Sequence, residues 1–353
     1  MKVIAAIDVG YSNLKQAWLY VPDNVSGSSP LFKALKDLRS DNEEVRAESK
    51  LNTRIFPAGA SPISELADSR SDNLMGHTVK LGDTQWRAPI DFADTQTVRR
   101  DFSGEYVKSD VWLALLKGAL AEIDSPTIDT LVLGLPSSEF YKRPELKAYV
   151  EERATGPHEL ADKTVEVKKV VVIPQPLGTF YGQMLSCTNK EELEQLTESL
   201  VLVCDPGYYS FDFVLIQGGN RIYQDSSIST PNSVKAVCDN LRGVLKQKHQ
   251  VNLQDGRIEQ ALRSDKTYVY AGGKKIEFSK ELEEVAAEVA SATLSEIRSS
   301  LHSKGYEPDI AIISGGGAKL FHKYIKDGTG VNRVDQADNP VMRNVIGYLH
   351  AAL

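Results

Sequence analysis

The apolar positions of this chain fall into short continuous runs that end at an aspartate or a glycine, and into longer stretches where apolar residues recur every three or four positions. The first pattern predicts buried strands and the second amphipathic helices. Two strand-like stretches are organised alike. Val3 to Trp18, VIAAIDVGYSNLKQAW, and Leu200 to Ile216, LVLVCDPGYYSFDFVLI, each run into an aspartate, turn through a glycine and a few hydroxyl or amide residues, and leave as a second strand. Each is predicted to be a hairpin.

After the first hairpin, residues from Val21 to about Gly76 mix serine, proline, glycine and charged runs, a composition that cannot build a large core. A small peripheral subdomain with mobile loops is expected there. A further hairpin is predicted to turn at Gly82-Asp83. Ser109 then caps a helix that carries Val111, Leu115, Leu116, Ala119, Leu120 and Ile123 on one face. Two strands, Ile128 to Pro136 and Val165 to Pro174, flank a polar helical segment beginning near Tyr141. Gln175-Pro176 opens a helix that is expected to cross between two domains, with Pro176 near its first position.

From Leu200 the pattern restarts. The second hairpin passes through Gly218-Gly219-Asn220 into a further strand, and a helix is expected from about Pro231 to Lys248. A charged stretch with a Gly272-Gly273 turn reads as a second peripheral subdomain. Ser279 opens a long helix with Leu282, Val285, Val289, Leu294, Ile297 and Leu301 at helical spacing, and Gly305 stops it. The strand Ile310 to Ile313 ends in Ser314-Gly315-Gly316-Gly317-Ala318 and leads into a helix. The tail from Asn339 reads as a short apolar helix packing back on the body.

With 353 residues the chain is long enough for two domains. Its 41 basic and 48 acidic side chains leave a formal charge of -7, which excludes a large surface for nucleic-acid phosphates, so any DNA contact is expected to be indirect. Cys187, Cys204 and Cys238 form no C-x-x-C pair, which fits a reducing compartment and no metal cluster. The first apolar run breaks at Asp8, and no stretch approaches the length of a membrane span, so a cytoplasmic location is expected.

The candidate chemistry lies in the paired hairpins. Gly10 and Gly207 are expected to adopt backbone angles closed to other residues and to present N–H groups that a phosphate can approach. Asp8 and Asp205 would repel a bare phosphate but suit a hydrated Mg²⁺ that bridges phosphate oxygens, and Lys15 on the second strand can add a positive charge. The triple glycine after Ser314 allows close backbone approach to a flat ligand.

Taken in order, five segments resemble the actin-like ATPases, and within that superfamily the bacterial plasmid-segregation branch of ParM/StbA type. They are Asp8 to Lys15, Gln175 to Gly182, Asp205 to Asp212, Ser314 to Ala318 and Asn339 to Gly347. The resemblance implies an α/β fold of two domains, each on an RNase H-like five-stranded mixed sheet flanked by helices, with ATP (or GTP) and Mg²⁺ in the cleft between them. Domain I would comprise 1–175 and 335–353, with a peripheral part at about 21–95. Domain II would comprise 176–334, with a peripheral part at about 225–278. It implies that Gly10, Ser12, Asn13 and Lys15 hold the β-phosphate side, and Gly207, Tyr209 and Ser210 the γ-phosphate side. Asp8 and Asp205 would meet Mg²⁺ through water, and Ser314, Gly315, Gly316 and Gly317 would pass along the adenosine. Asp212 would mark the strand rather than the chemistry. Tyr11 and Tyr208 stand where the family pattern has small residues, so they belong to the phosphate loops by position while their side-chain contacts differ. Gln175, which cannot act as a base, would orient the attacking water.

The function implied is ATP hydrolysis coupled to dynamic filaments of the chain itself, acting on plasmid DNA through an adaptor protein. Two other readings stay open. One is a small-molecule kinase, for which no motif places an aspartate base. The other is a non-polymerising nucleotide switch or scaffold.

Overall fold

The computed structural model describes residues 1–21, 51–66, 75–94, 105–254, 256–337 and 339–352. Most of the irregular stretch between Val21 and Gly76 lies outside these residues. The chain divides into two compact units, Met1–Leu193 with Met342–Leu353, and Glu194–Val341. The divisions expected at 175/176 and 334/335 therefore fall later in the chain, for a reason given by the helix that starts at Gln175.

In the first unit, β1 (Lys2–Val9) and β2 (Asn13–Val21) form the predicted hairpin, with Asp8 opposite Lys15. The next strand, β3 (Asn52–Pro57), pairs antiparallel with β2 and forms the edge of the main sheet. This corrects the reading of that segment as wholly peripheral. Its apolar residues are too few to show a period, and pairing with β2 decides its state. Strand β4 (Gly59–Pro62) turns away to join β5 (His77–Leu81) and β6 (Thr84–Ile90), whose turn holds Gly82 at a positive φ of 57°.

Helix α1 (Asp110–Glu122) follows, and its first turn is capped by Ser109, whose hydroxyl accepts the Trp112 N–H at 3.2 Å. Strands β7 (Thr127–Ile128) and β8 (Thr130–Leu135) lead to helices α2 (Ser137–Lys142) and α3 (Pro144–Ala154) and to strand β9 (Gly156–Glu159). The single strand expected from Val165 to Pro174 is two strands. In β10 (Thr164–Val167) valines alternate with exposed residues, and it pairs with β7 and β9; β11 (Val170–Pro174) joins β8. The main sheet thus runs β11-β8-β1-β2-β3. Helix α1 packs on one face, with its Leu115 among Ala5, Ile7 and Trp18, while Ile4, Ala6, Ala17 and Leu19 pack on the other with Tyr348 and Leu349.

Helix α4 (Gln175–Ser186) stays in this unit instead of crossing out of it, because it packs on the C-terminal helix, Arg343–Tyr348. A Cβ on Gly347 would lie 1.8 Å from the Gly178 carbonyl oxygen, and one on Gly182 would lie 2.5 Å from Cδ of Arg343. Backbones meet there with no room for side chains. The Arg343 guanidinium donates to the Gly182 carbonyl at 2.8 Å, and the Thr179 hydroxyl is hydrogen-bonded to Asn344. Helix α5 (Lys190–Glu198) spans the division.

The second unit repeats the sheet plan. Strands β12 (Leu200–Pro206) and β13 (Phe211–Gln217) form the second hairpin, Asp205 opposite Asp212, and β14 (Arg221–Thr230) pairs with β13. Helix α6 (Val234–His249), helix α7 (Arg257–Arg263) and a small hairpin of β15 (Tyr268–Ala271) and β16 (Lys274–Glu277) precede the long helix α8 (Ser279–His302). Gly305, at a φ of 67°, lies just beyond its end. Strand β17 (Ile310–Ile313), helix α9 (Ala318–Gly328) and strand β18 (Arg333–Gln336) complete the order β14-β13-β12-β17-β18. In both sheets an antiparallel hairpin and edge strand adjoin two parallel strands.

Candidate functional site

The two hairpins turn in the same way. The Gly10 N–H donates to the Asn13 carbonyl at 3.1 Å, and the Gly207 N–H donates to the Ser210 carbonyl at 2.8 Å. Neither glycine has a positive φ, which corrects the expected reason for its presence. The need is steric: at either position a Cβ would stand 2.8 Å from the carbonyl oxygen that closes the turn. The aspartates occupy the same place in both, one residue before the end of the first strand, and are 2 % and 6 % exposed for Asp8 and Asp205.

In the first unit Asp8 gathers two of the sequence-predicted residues. Lys15 Nζ lies 2.6 Å from Asp8 Oδ2, and Gln175 Nε2 donates to Asp8 Oδ1 at 3.1 Å. A carboxylate only accepts, so it fixes which end of the Gln175 amide faces it and turns Oε1 away. The lysine charge offsets the cost of burying Asp8. Tyr11 is accounted for by packing: its ring stacks on Tyr106 with centroids 4.3 Å apart, and the Tyr106 hydroxyl donates to the Gly10 carbonyl at 3.2 Å. Ser12 and Asn13 complete the turn, and the Ser12 carbonyl accepts the Ala58 N–H at 3.0 Å.

In the second unit the position opposite the aspartate holds another acid. Asp212 is buried across the ladder from Asp205, and the Ser210 hydroxyl donates to its Oδ2 at 2.6 Å. Tyr208 and Tyr209 form the tip, with their carbonyls bound by Ser233. The glycine segment sits against this hairpin. A Cβ on Gly315, whose φ is 87°, would meet Asp205 Oδ1 at 2.1 Å, and the Gly317 N–H donates to the Pro206 carbonyl at 2.7 Å. The Ser314 hydroxyl and the Gly315 N–H both donate to the Pro340 carbonyl at 2.8 Å. Within the segment Ser314, Gly315 and Gly317 thus brace the site, while Gly316 is exposed with open space where a Cβ would stand.

The donor set fits a hydrated divalent ion held with phosphates. Among the described residues no cluster of three or more His, Cys, Asp or Glu could cage a metal, whereas a hydrated Mg²⁺ that arrives with a nucleotide needs only one or two carboxylates, and each hairpin offers one at its strand end. Sequence reasoning missed Tyr106, which lies 96 positions from Gly10, and Ser233, 24 and 25 positions from the carbonyls it binds. No local motif marks either one.

A profile of the actin-like protein N-terminal domain matches residues 40–178, and one of the C-terminal domain of archaeal MreB-like actin homologues matches residues 203–327. No curated protein sequence matches the chain. Among solved structures, a non-polymerisable quadruple mutant of pCBH ParM is 16 % identical, covers 100 % of this chain and 99 % of its own, and superposes with a TM-score of 0.72. A ParM filament from Clostridium botulinum is 16 % identical over 99 % of this chain and 98 % of its own, at a TM-score of 0.72. An archaeal actin homologue in complex with ADP is 16 % identical over 99 % of both chains, at 0.70. The two profiles lie one in each unit and agree with the fold: this chain is an actin-like protein, and its fold is similar to that of the ParM structures.

Proposed function

We propose that this protein binds and hydrolyses ATP with Mg²⁺ in the cytoplasm, and that ATP-bound copies polymerise into dynamic filaments that move plasmid DNA through a separate adaptor. The observation that carries the reading is the repeated hairpin, with a buried aspartate at the strand end and a glycine turn closed by the same hydrogen bond in each unit. One such turn is ordinary. Two, at the same place in two sheets of the same order, make a pair of phosphate loops.

In this reading the first hairpin, through Gly10, Tyr11, Ser12 and Asn13, takes the β-phosphate side, and Lys15 adds its charge. Gly207, Tyr208, Tyr209 and Ser210 take the γ-phosphate side, and Gly316 lies along the adenosine. Gln175, its amide nitrogen tied to Asp8, offers Oε1 to a water and orients it for in-line attack. When bound, Mg²⁺ supplies charge to the phosphate oxygens. Asp8 and Asp205 hold its water shell. Support for self-assembly comes from the filament formed by the Clostridium botulinum relative, and support for nucleotide binding from the ADP complex of the archaeal one. The acidic balance of -7 favours an adaptor over direct DNA contact.

The test follows light scattering and phosphate release in one tube after ATP and Mg²⁺ are added. Scattering is expected to rise and then to decay as phosphate appears. Phosphate release with flat scattering at every protein concentration would overturn the filament reading and favour a kinase or a switch.

A further inference from the structure

We propose that Ser233 is a positioning residue that sets the second hairpin for the terminal phosphate of a nucleoside triphosphate, an inference that rests on the ATP-binding reading above. Ser233 occupies the N-cap of α6, where a serine hydroxyl ordinarily accepts from its own helix, yet it makes no such bond. It is fully buried, and its hydroxyl instead lies 2.8 Å from the carbonyl oxygens of both Tyr208 and Tyr209, which share its single proton. The first amides of the helix add to this: Val234 N–H donates to the Gly207 carbonyl at 3.4 Å, and Lys235 N–H to the Tyr208 carbonyl at 2.8 Å.

Three successive carbonyls of the hairpin are thereby turned toward the start of α6. In a trans peptide the C=O of one residue and the N–H of the next point in opposite directions. The N–H groups of Tyr208, Tyr209 and Ser210 are therefore turned the other way, as a row facing one side. Consecutive N–H groups with a common direction make a concave anion site. The first hairpin is held differently: its Gly10 carbonyl accepts from the Tyr106 hydroxyl and its Ser12 carbonyl from the Ala58 N–H.

The clamp is itself braced from behind. Asn232 Nδ2 donates to Glu296 Oε1 at 3.0 Å, and the Thr293 hydroxyl donates to the Asn232 carbonyl at 3.1 Å, which ties the segment to α8. Ser233 thus ties the half-buried loop tip to two helices.

The experiment measures equilibrium affinities for a non-hydrolysable ATP analogue and for ADP, with thermal unfolding, on the full chain and on Ser233→Ala and Ser233→Thr. Loss of the hydroxyl is expected to weaken the ATP analogue about five- to tenfold. ADP affinity and the unfolding temperature are expected to hold, and threonine, which keeps the hydroxyl, to restore the analogue. Equal weakening of both nucleotides, or no change in either, would overturn the role of Ser233. Failure of the unaltered protein to bind either nucleotide would overturn the ATP reading instead. If Ser233→Ala does not fold, Asn232→Ala, which loosens the same segment from Glu296, carries the same expectation and the same refutation.

Discussion

Asp8 and Asp205 occupy equivalent places and have different company. Lys15 and Gln175 surround Asp8, whereas Asp205 faces Asp212 across the ladder and the bare backbone of Gly315. On the proposed reading, in which the Asp205 carboxylate would serve the metal's water shell, Asp205→Ala is expected to abolish phosphate release while leaving the unfolding temperature close to that of the parent. Unfolding of that variant would show a structural role instead. On the same reading, in which Gln175 would orient a water and not hold the phosphates, Gln175→Ala is expected to slow hydrolysis at least about tenfold with nucleotide affinity retained. Unchanged turnover would sink that role. A pH effect belongs here too. Burial holds His158 and His350 below the usual histidine value, so both take up a proton less readily in the folded protein than in the unfolded chain. The unfolded chain then binds more protons as pH falls, so their contribution is complete above about pH 6.5 and shrinks on acidification. Urea midpoints are expected to drop from pH 7 to pH 5, with a smaller drop in His158→Gln.

Among the elements, hairpins and helices were readable wherever local pattern and local partner coincide. Ser109 caps the helix it precedes, and the Gly82, Gly218-Gly219 and Gly272-Gly273 turns all close strand pairs. Reading failed where pairing is remote. Strand β3 is polar and half exposed, and only its register against β2 makes it the edge of the main sheet. The segment Val165 to Pro174 changes sheet at Lys168, where alternating burial gives way to a continuous apolar run. The packing of α4 against the C-terminal helix sets the division of the chain. Gly347→Ala would drive a methyl group into the Gly178 carbonyl, and the expected loss is about 3 kcal/mol in denaturant unfolding. Wild-type stability in that variant would mean that the two helices can part without cost.

For the molecule as a whole, the same sheet order recurs in both units with a glycine turn at the same place in each, and the filament reading stands or falls on assembly. Scattering that depends on ATP is expected to show a critical concentration, below which added protein yields none; a signal proportional to protein from the outset would point to aggregation. Periodicity, turn glycines and the position of each aspartate were legible in the order of residues, because hairpins, caps and strand ends are built from neighbours within a few positions. The actin-like fold was legible for the same reason, as an ordered series of local motifs. What the series could not contain are the contacts that close over long stretches of chain: Gln175 on Asp8, Tyr106 on Gly10, Ser233 on the second hairpin, and Gly315 against Asp205. These arise only once the sheet order has brought distant strands together, since a hydrogen bond or a missing Cβ acts over a few ångströms whatever the separation in sequence.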